Sequence, residues 1–202
     1  MRGYLQFLET VKVVDGAFIH PELHLERMRQ TVKEFFGTSV QETLFQELVV
    51  PEAMSQGNVK CRILYGASVE EVEFQPYTPK RIGSLKLVDG TGIDYSHKYA
   101  NRSCLTRLLQ EKGECDDVLI VRSGLITDTS YSNVVLSDEK GYYTPNSYLL
   151  NGTCRQRLLA EGKVVPMEIT VNNLASFEKL YLINAMLGIE DEITIPVANI
   201  QF

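Results

Sequence analysis

The first part of the chain has the apolar pattern of an α+β unit. Two β-rich runs surround Asp15-Gly16, which is typical of a hairpin turn. Apolar residues at helical spacing follow Pro21, and Gly37 ends that segment. The predicted elements are the hairpin Phe7–Ile19, a helix Pro21–Phe36, a shorter helix Gln41–Met54 and two strands, Val59–Tyr65 and Val69–Phe74.

Strands and helices alternate in the second part of the chain. Pro166 suggests that one of these strands lies at a sheet edge, because proline cannot donate a ladder hydrogen bond. The predicted strands are Ser84–Asp89, Asp117–Arg122, Asn133–Ser137, Val164–Ile169 and Lys179–Ile183, and the predicted helices are Ser103–Gln110, Thr153–Glu161 and Asn172–Glu178. We therefore predict an N-terminal α+β domain over 1–78, a linker over 79–84 that begins at Pro79, and a larger C-terminal mixed α/β domain over 85–202.

Composition narrows the class of protein. The chain has 202 residues and a formal net charge of −6 without a basic block, which argues against nucleic acid or an anionic membrane as the main partner. No apolar run is long enough to span a bilayer. The segment Met1–Glu9 lacks the apolar core and cleavage site of a signal peptide, so we expect a cytoplasmic protein.

Cysteine and histidine spacings do not indicate a metal site. Four cysteines are present, none within a Cys-x-x-Cys spacing, and reduced thiols are the simplest interpretation. His20 and His24 have the i, i+4 spacing that a metal-binding helix could use, but not the His-Glu-x-x-His order. We favour a helix that begins at Pro21, and predict no metal ligands.

The candidate chemistry centres on Lys98, in the stretch Tyr95–Arg102. A strand-like run precedes it and a helical pattern follows, so we expect Lys98 at a strand-to-helix junction. Taken alone, a lysine in such a place is usually a solvated side chain. The motifs that follow in order change that interpretation: Gly124–Asn133, Tyr143–Pro145, Leu149–Arg155 and Leu182–Gly188.

This order of motifs resembles the fold-type IV family of pyridoxal 5'-phosphate (PLP) enzymes. The family contains branched-chain aminotransferases, D-amino acid aminotransferases and aminodeoxychorismate lyases. The Lys-x-x-Asn-Arg form of Lys98, Asn101 and Arg102 looks most like the lyase branch. The resemblance runs from about Phe7 to Ile195 and implies a two-domain fold similar to D-amino acid aminotransferase.

The resemblance implies that Lys98 binds the cofactor covalently and that Arg102 is a cationic neighbour. Asp128 matches the acid beside the pyridine nitrogen, where the family usually has glutamate, and its carboxylate would keep that nitrogen protonated. An ordinary turn residue is the alternative for Asp128. Arg27 matches an arginine that reaches the phosphate, and a guanidinium suits phosphate through paired charge-assisted bonds.

Two segments resemble the phosphate-binding loops of the family. The first opens a helix, where free backbone N–H groups and the positive end of the helix dipole favour an anion. An ordinary capped helix is its alternative, and the second segment follows a core strand. The cofactor-binding residues predicted here are Gly152, Thr153 and Cys154 in the first loop and Asn184, Ala185 and Met186 in the second, besides Lys98, Arg27, Asn101, Arg102 and Asp128.

The implied function is release of pyruvate from 4-amino-4-deoxychorismate to leave 4-aminobenzoate, a folate precursor. Lys98 would be the catalytic proton carrier. An aminotransferase for branched-chain or D-amino acids is the nearest alternative, and a PLP-fold accessory protein without turnover is the second. A homodimer with a small-molecule substrate is expected.

Overall fold

The computed structural model describes residues 5–202, so the first four residues of the predicted 1–78 domain lie outside it. The chain divides into two compact units. The first unit comprises the residues up to Pro79 together with His97–Asn101. The second comprises Lys80–Ser96 and Arg102–Phe202. The assignment of 1–78, 79–84 and 85–202 as separate domains stays a prediction.

The first unit is a four-stranded antiparallel sheet with a long helix against it. The sheet order is β2-β1-β3-β4, and the register pairs Phe7 with Tyr65 and Val14 with Asn58. The elements are β1 (Phe7–Val14), β2 (Ala17–Phe18), α1 (Pro21–Phe36), α2 (Leu44–Glu47), a 3₁₀ turn (Glu52–Met54), β3 (Asn58–Tyr65) and β4 (Val69–Pro76).

Helix α1 begins and ends where the sequence predicts. Pro21 occupies its first turn, where the missing N–H costs nothing, and Gly37 ends it in the left-handed region at φ 68°. The side chains of Met28 and Val32 are fully buried and pack with Phe7, Val11 and other residues of the sheet. At about 25 cal/mol per Å² of apolar area, such burial stabilises the helix far more than its propensity does.

The second unit contains two sheets. One has the order β10-β9-β8-β11-β12, and the other has the order β13-β5-β6-β7. The elements are β5 (Leu85–Asp89), α3 (Ser103–Leu109), β6 (Asp117–Arg122), β7 (Leu125–Thr129), β8 (Asn133–Asp138), β9 (Gly141–Pro145), α4 (Thr153–Ala160), β10 (Val165–Met167), β11 (Lys179–Ile183), β12 (Thr194–Pro196) and β13 (Ile200–Gln201), with 3₁₀ turns at Gln110–Lys112, Leu174–Ser176, Ile189–Asp191 and Val197–Asn199.

One core joins the two sheets of this unit. Leu85, Leu119 and Ile126 of the smaller sheet pack with Val134 and Leu182 of the larger one, and all five are fully buried. The chain passes from one sheet to the other between β7 and β8, through a tight turn in which the Thr129 N–H donates to the Ser132 carbonyl at 2.8 Å. The ends of these two strands are therefore held closely together.

Most predicted elements are confirmed, including the mixed α and β class, but the predicted helix Asn172–Glu178 is only a 3₁₀ turn at Leu174–Ser176. The predicted edge strand is found as β10, which lies at one end of its sheet. The predicted helix Gln41–Met54 is wrong, since only Leu44–Glu47 and the turn Glu52–Met54 are helical. Backbone at Leu48 is already extended at ψ 120°. The β-branched Val50 precedes Pro51, and a residue before proline is driven out of the helical region.

In the described part of the chain, no helix is both long enough and apolar enough to cross a membrane.

Candidate active site

In the first unit, the predicted phosphate ligand Arg27 belongs to a buried cluster with Glu9 and His24. Glu9 Oε1 accepts from Arg27 Nε at 2.8 Å, and Oε2 accepts from Arg27 Nη2 at 2.5 Å. The same Oε2 lies 2.7 Å from His24 Nδ1, which must donate because a carboxylate can only accept. Glu9 is 0% exposed and His24 is 2% exposed. The Arg27 guanidinium is thus held by two bonds in one orientation.

Electrostatics fix the charges in this cluster. Burial alone would raise the pKa of Glu9, but Arg27 and His24 together outweigh burial and lower the pKa to about 2. Burial lowers the pKa of His24, Glu9 raises it, and the positive charges of Arg27 and Lys98 lower it again. Glu9 is therefore ionised at neutral pH and His24 is neutral. The Lys98 charge acts on this cluster within the same unit.

Lys98 does not lie at a strand-to-helix junction, and that prediction is wrong. Strand β5 ends at Asp89, α3 begins at Ser103, and Lys98 lies in irregular backbone outside both. This segment is fixed by backbone bonds to β1 and to the residue before it instead: the Leu8 N–H donates to the Lys98 carbonyl and the Ala100 N–H to the Gln6 carbonyl, both at 2.9 Å. Asn101 ends the same segment, and its side chain is exposed.

In the second unit, Asp128 is a buried carboxylate at the end of β7. Oδ1 accepts from Asn133 Nδ2 at 2.9 Å. Oδ2 accepts from the backbone N–H groups of Leu149 and Leu150 at 3.2 and 3.0 Å. Asp128 is thus not an exposed turn residue, since only 6% of it is exposed.

The pKa of the Asp128 carboxyl is closer to neutral pH than that of an ordinary aspartate. Burial raises its pKa to about 6, although the Leu150 and Leu149 N–H groups, Asn133 and the charge of Arg155 all lower it. The carboxylate is still largely ionised at pH 7. Because its hydrogen-bond donors are neutral, a positive group beside it would stabilise the ionised form strongly.

The first turn of α4 lies beside Asp128 through Asn133. The amide of Asn133 also donates to the Leu150 carbonyl at 2.8 Å. A Cβ on Gly152 would meet Asn133 Oδ1 at 2.1 Å, so only glycine fits there. The first hydrogen bond of the helix runs from the Gln156 N–H to the Gly152 carbonyl, and the preceding N–H groups of Thr153 and Cys154 have no carbonyl within the helix to receive them.

The second predicted loop lies against this turn. Asn184 Nδ2 donates to Ser132 Oγ at 2.8 Å, and Cys154 Sγ lies 3.5 Å from the Leu187 carbonyl. The Met186 N–H already donates to Asn184 Oδ1 at 2.8 Å, while no bond of this kind holds the Ala185 N–H in the described structure. Ala185 is thus better placed than Met186 to offer a backbone donor.

Eleven residues are predicted for the site, of which three lie in the first unit and eight in the second. Arg102 joins the group of the second unit, since its Nη2 donates to the Ser130 carbonyl at 2.6 Å. The first unit holds Arg27, Lys98 and Asn101, and the second holds Arg102, Asp128, Gly152, Thr153, Cys154, Asn184, Ala185 and Met186.

Sequence reasoning missed Glu9 and His24. Glu9 occurs in the alternating run of β1, in step with Phe7, Val11 and Val13, which all face the core. A charged residue on the apolar face of a strand needs a buried partner, so the alternation itself carried the signal. The i, i+4 spacing of His24 with His20 suggests either a metal ligand or an ordinary helix residue, and neither interpretation predicts that His24 donates a hydrogen bond to Glu9.

The chain belongs to the class IV aminotransferase family, whose model matches residues 6–191. This confirms the fold-type IV class. A relative of similar length, an uncharacterized protein of Haemophilus influenzae, is 32% identical over 183 residues, which cover 90% of this chain and 97% of that one.

Solved structures share the fold. A provisionally named 4-amino-4-deoxychorismate lyase from Haemophilus somnus is 30% identical, with a TM-score of 0.80 over 93% of this chain and 99% of that one. A hypothetical aminotransferase from Mycobacterium tuberculosis in its PLP-bound form is 20% identical, with a TM-score of 0.77 over 98% of this chain and 82% of that one. At that identity the second likeness shows the fold alone.

Family membership supports PLP as the cofactor, and the residues of the second unit fit it. Asp128 offers a buried carboxylate, which suits a ring nitrogen that carries a proton. Gly152 leaves the backbone bare where any side chain would collide with Asn133, and the helix behind it directs N–H groups outward. Both features are what a planar ring with a phosphate requires.

We predict that Glu9→Gln lowers the free energy of unfolding at pH 7 by about 3 kcal/mol, because Arg27 and His24 lose their buried partner. The folded-state pKa of Glu9 is about 2, below the ordinary value of 4.5, so its contribution is complete above roughly pH 5.5 and is lost as the pH falls through 2. The difference between parent and variant should shrink over that range. Urea unfolding measures it.

The matched control is Glu71→Gln, at an exposed position of β4, which should change the unfolding free energy by less than about 0.5 kcal/mol. Equal stability of the Glu9→Gln variant and the parent at pH 7 would contradict the prediction.

Proposed function

We propose that the protein is a PLP-dependent lyase that converts 4-amino-4-deoxychorismate into 4-aminobenzoate and pyruvate. The observation that carries this proposal is the 30% identity to the provisionally named Haemophilus somnus lyase over 93% of this chain and 99% of that one. The likeness therefore extends over nearly all of both chains. The Lys-x-x-Asn-Arg form at Lys98 supports the same choice.

Binding of the PLP phosphate would use two kinds of group: neutral backbone N–H donors and a positively charged side chain. In the second unit, the N–H groups at the first turn of α4 and at Ala185 suit a phosphate as neutral donors. In the first unit, the fixed guanidinium of Arg27 suits a phosphate through its positive charge. Asp128 would accept a hydrogen bond from the proton-bearing ring nitrogen. When bound, PLP supplies an electrophilic carbonyl carbon and an electron-withdrawing ring that stabilises negative charge beside the substrate amine.

Lys98 has two tasks in this proposal. Its Nζ would hold the cofactor covalently until the substrate amine displaces it, and the freed amine would then take the proton from the substrate carbon that carries the nitrogen. Loss of the enolpyruvyl ether oxygen with its bonding electrons leaves an aromatic ring, and the departing enol becomes pyruvate after it gains a proton at carbon. Substrate atoms are thus divided between two products without an oxidant or a second substrate.

Asp128 would keep the ring electron-withdrawing by stabilising the proton on its nitrogen. An ionised carboxylate in a buried site attracts a proton-bearing nitrogen strongly, because little water screens the pair. The hydrogen bonds from Asn133, Leu149 and Leu150 hold both carboxylate oxygens in place. Aspartate is one methylene shorter than the usual glutamate, and these three donors set where its oxygens lie.

The homodimer implied by the resemblance stays a prediction.

The decisive experiment is incubation of the PLP-loaded protein with 4-amino-4-deoxychorismate. We expect 4-aminobenzoate and pyruvate in equal amounts. Lys98→Ala should abolish turnover and also the borohydride-reducible attachment of PLP, whereas Lys140→Ala, at an exposed turn, should change neither. A parallel assay with branched-chain or D-amino acids and 2-oxoglutarate tests the aminotransferase alternative. Amino transfer without 4-aminobenzoate would overturn the lyase assignment.

We further predict that Asp128→Asn still binds PLP but turns over at least tenfold more slowly, which corresponds to roughly 1.4 kcal/mol of barrier. A neutral amide cannot keep the ring nitrogen protonated, while the phosphate donors and Lys98 remain. Asp128→Glu should retain more activity than Asp128→Asn. Steady-state kinetics and PLP titration measure both, and an Asp128→Asn variant as fast as the parent would remove Asp128 from the mechanism.

A further inference from the structure

The backbone around Lys98 forms a γ-turn, and Lys98 is the apex of that turn. The Tyr99 N–H donates to the His97 carbonyl at 2.8 Å, which closes a turn of three residues. The Lys98 carbonyl itself accepts from the Leu8 N–H at 2.9 Å. The backbone of the lysine is therefore fixed within the first unit, although Lys98 belongs to no helix or strand.

The side chain that follows the apex, Tyr99, is held by strand β1. Its ring stacks on the Phe7 ring, with the centroids 5.3 Å apart and an angle of 30° between the planes. Phe7 is fully buried, and the two residues also form an antiparallel bridge. Because aromatic pairs at such distances attract each other beyond the burial of their area, the Tyr99 ring has one preferred place.

The side chain that precedes the apex, His97, is held by the last turn of α1. Its ring meets the Phe35 ring edge-on, with 4.8 Å between the centroids and 88° between the planes. Nε2 also lies 3.3 Å from Glu34 Oε2, and this pair attracts when the imidazole is protonated. The His97 and Tyr99 rings lie 6.0 Å apart, so both anchors belong to one aromatic cluster.

The strand and helix that hold these anchors also hold Arg27. Strand β1 bonds to Lys98 through the Leu8 N–H. The next residue of the strand, Glu9, bonds to Arg27 through both carboxylate oxygens. Helix α1 carries Arg27 and, about two turns later, Phe35. Lys98 and Arg27 are thus mounted on the same two elements, which fixes the distance between their backbones.

We propose that His97 and Tyr99 are positioning residues that hold the Lys98 backbone, and with it the base of the amine-bearing side chain, in a set place relative to Arg27. This inference rests on the proposed function, in which Lys98 binds PLP covalently and Arg27 suits its phosphate. A bond between an amine and an aldehyde carbon forms readily only when the two atoms meet in the right geometry. Two anchored neighbours remove the freedom that an unanchored loop would give the lysine.

The test compares two probes on the cofactor-free protein: PLP, and 4'-deoxypyridoxine 5'-phosphate, in which a methyl group replaces the aldehyde. The analogue offers the same ring and phosphate but cannot bond to an amine. We expect Tyr99→Leu to weaken PLP binding about tenfold and to change analogue binding by less than about twofold. Equilibrium titration measures both dissociation constants. Borohydride reduction followed by peptide mass spectrometry reports the attachment at Lys98.

Two further variants control for the loss of the ring. Tyr99→Phe keeps the ring that stacks on Phe7 and should bind both probes as the parent does. Phe45→Leu removes a ring of the same unit that pairs instead with Phe18, at 5.3 Å between the centroids. It too should leave both dissociation constants unchanged.

If Tyr99→Leu does not fold, as judged by circular dichroism, His97→Ala tests the same point. It removes the other anchor, whose side chain is 24% exposed and is thus less central to the core. We expect it to weaken PLP binding about threefold and to leave analogue binding unchanged.

PLP affinity equal to that of the parent in folded Tyr99→Leu, or in His97→Ala if that variant must be used, overturns the proposal. An equal loss for PLP and the analogue also overturns it, because the variant would then have loosened the phosphate contacts as well. Absence of a reducible attachment at Lys98 in the parent overturns it too. None of these measurements includes turnover. Failure of the lyase assay therefore leaves a selective loss of PLP affinity intact, and equal affinities leave the lyase assignment intact.

Discussion

A carboxylate can be buried only when other groups replace the water that it loses, and each unit of this chain is arranged around one such carboxylate. In the first unit, Glu9 draws strand β1 and helix α1 together through Arg27 and His24. In the second, Asp128 gathers Asn133 from β8 and the N–H groups before α4. In the first unit, the predicted site residue Arg27 bonds to the buried carboxylate, and in the second the buried carboxylate is itself a predicted site residue.

The two carboxylates are compensated to different degrees. Glu9 faces a guanidinium at contact distance, and its pKa falls to about 2. Asp128 faces neutral donors, and its pKa rises to about 6. The first arrangement satisfies the charge completely and suits the holding of Arg27. The second leaves the charge partly unsatisfied, which suits the binding of a cationic group.

The sequence predicts an element well where its signal is local. The turn at Asp15-Gly16, the proline and glycine that bound α1, and the apolar run of β11 each determine their own backbone, and each was found. Lys98 could not be placed in this way, because its segment is fixed by residues distant in the chain: Leu8 bonds to Lys98, and Gln6 bonds to Ala100. The short strands β12 and β13 have no pattern of their own and pair through tertiary contacts.

The candidate site shows the same difference between what local sequence signals predict and what only contacts in the fold reveal. Motif order was enough to nominate the residues, and eight of them lie in one unit with direct bonds among their elements. Arg155 ends the motif Leu149–Arg155, and the sequence assigns it no task. Only its burial and its bonds to Asn151 Oδ1 and the Pro145 carbonyl reveal that it anchors the ends of the 145–151 connection.

The position of His97–Asn101 in the first unit has a consequence for biosynthesis. This segment pairs with β1, since Phe7 and Tyr99 form an antiparallel bridge, yet Lys80–Ser96 separates it in sequence from the rest of its unit. A ribosome must therefore release residue 101 of the 202-residue chain before the first unit has all its parts. Domains generally fold as they emerge, so this one completes its structure only after synthesis of its neighbour has begun. Lys98 is thus among the last residues to join the unit that holds it.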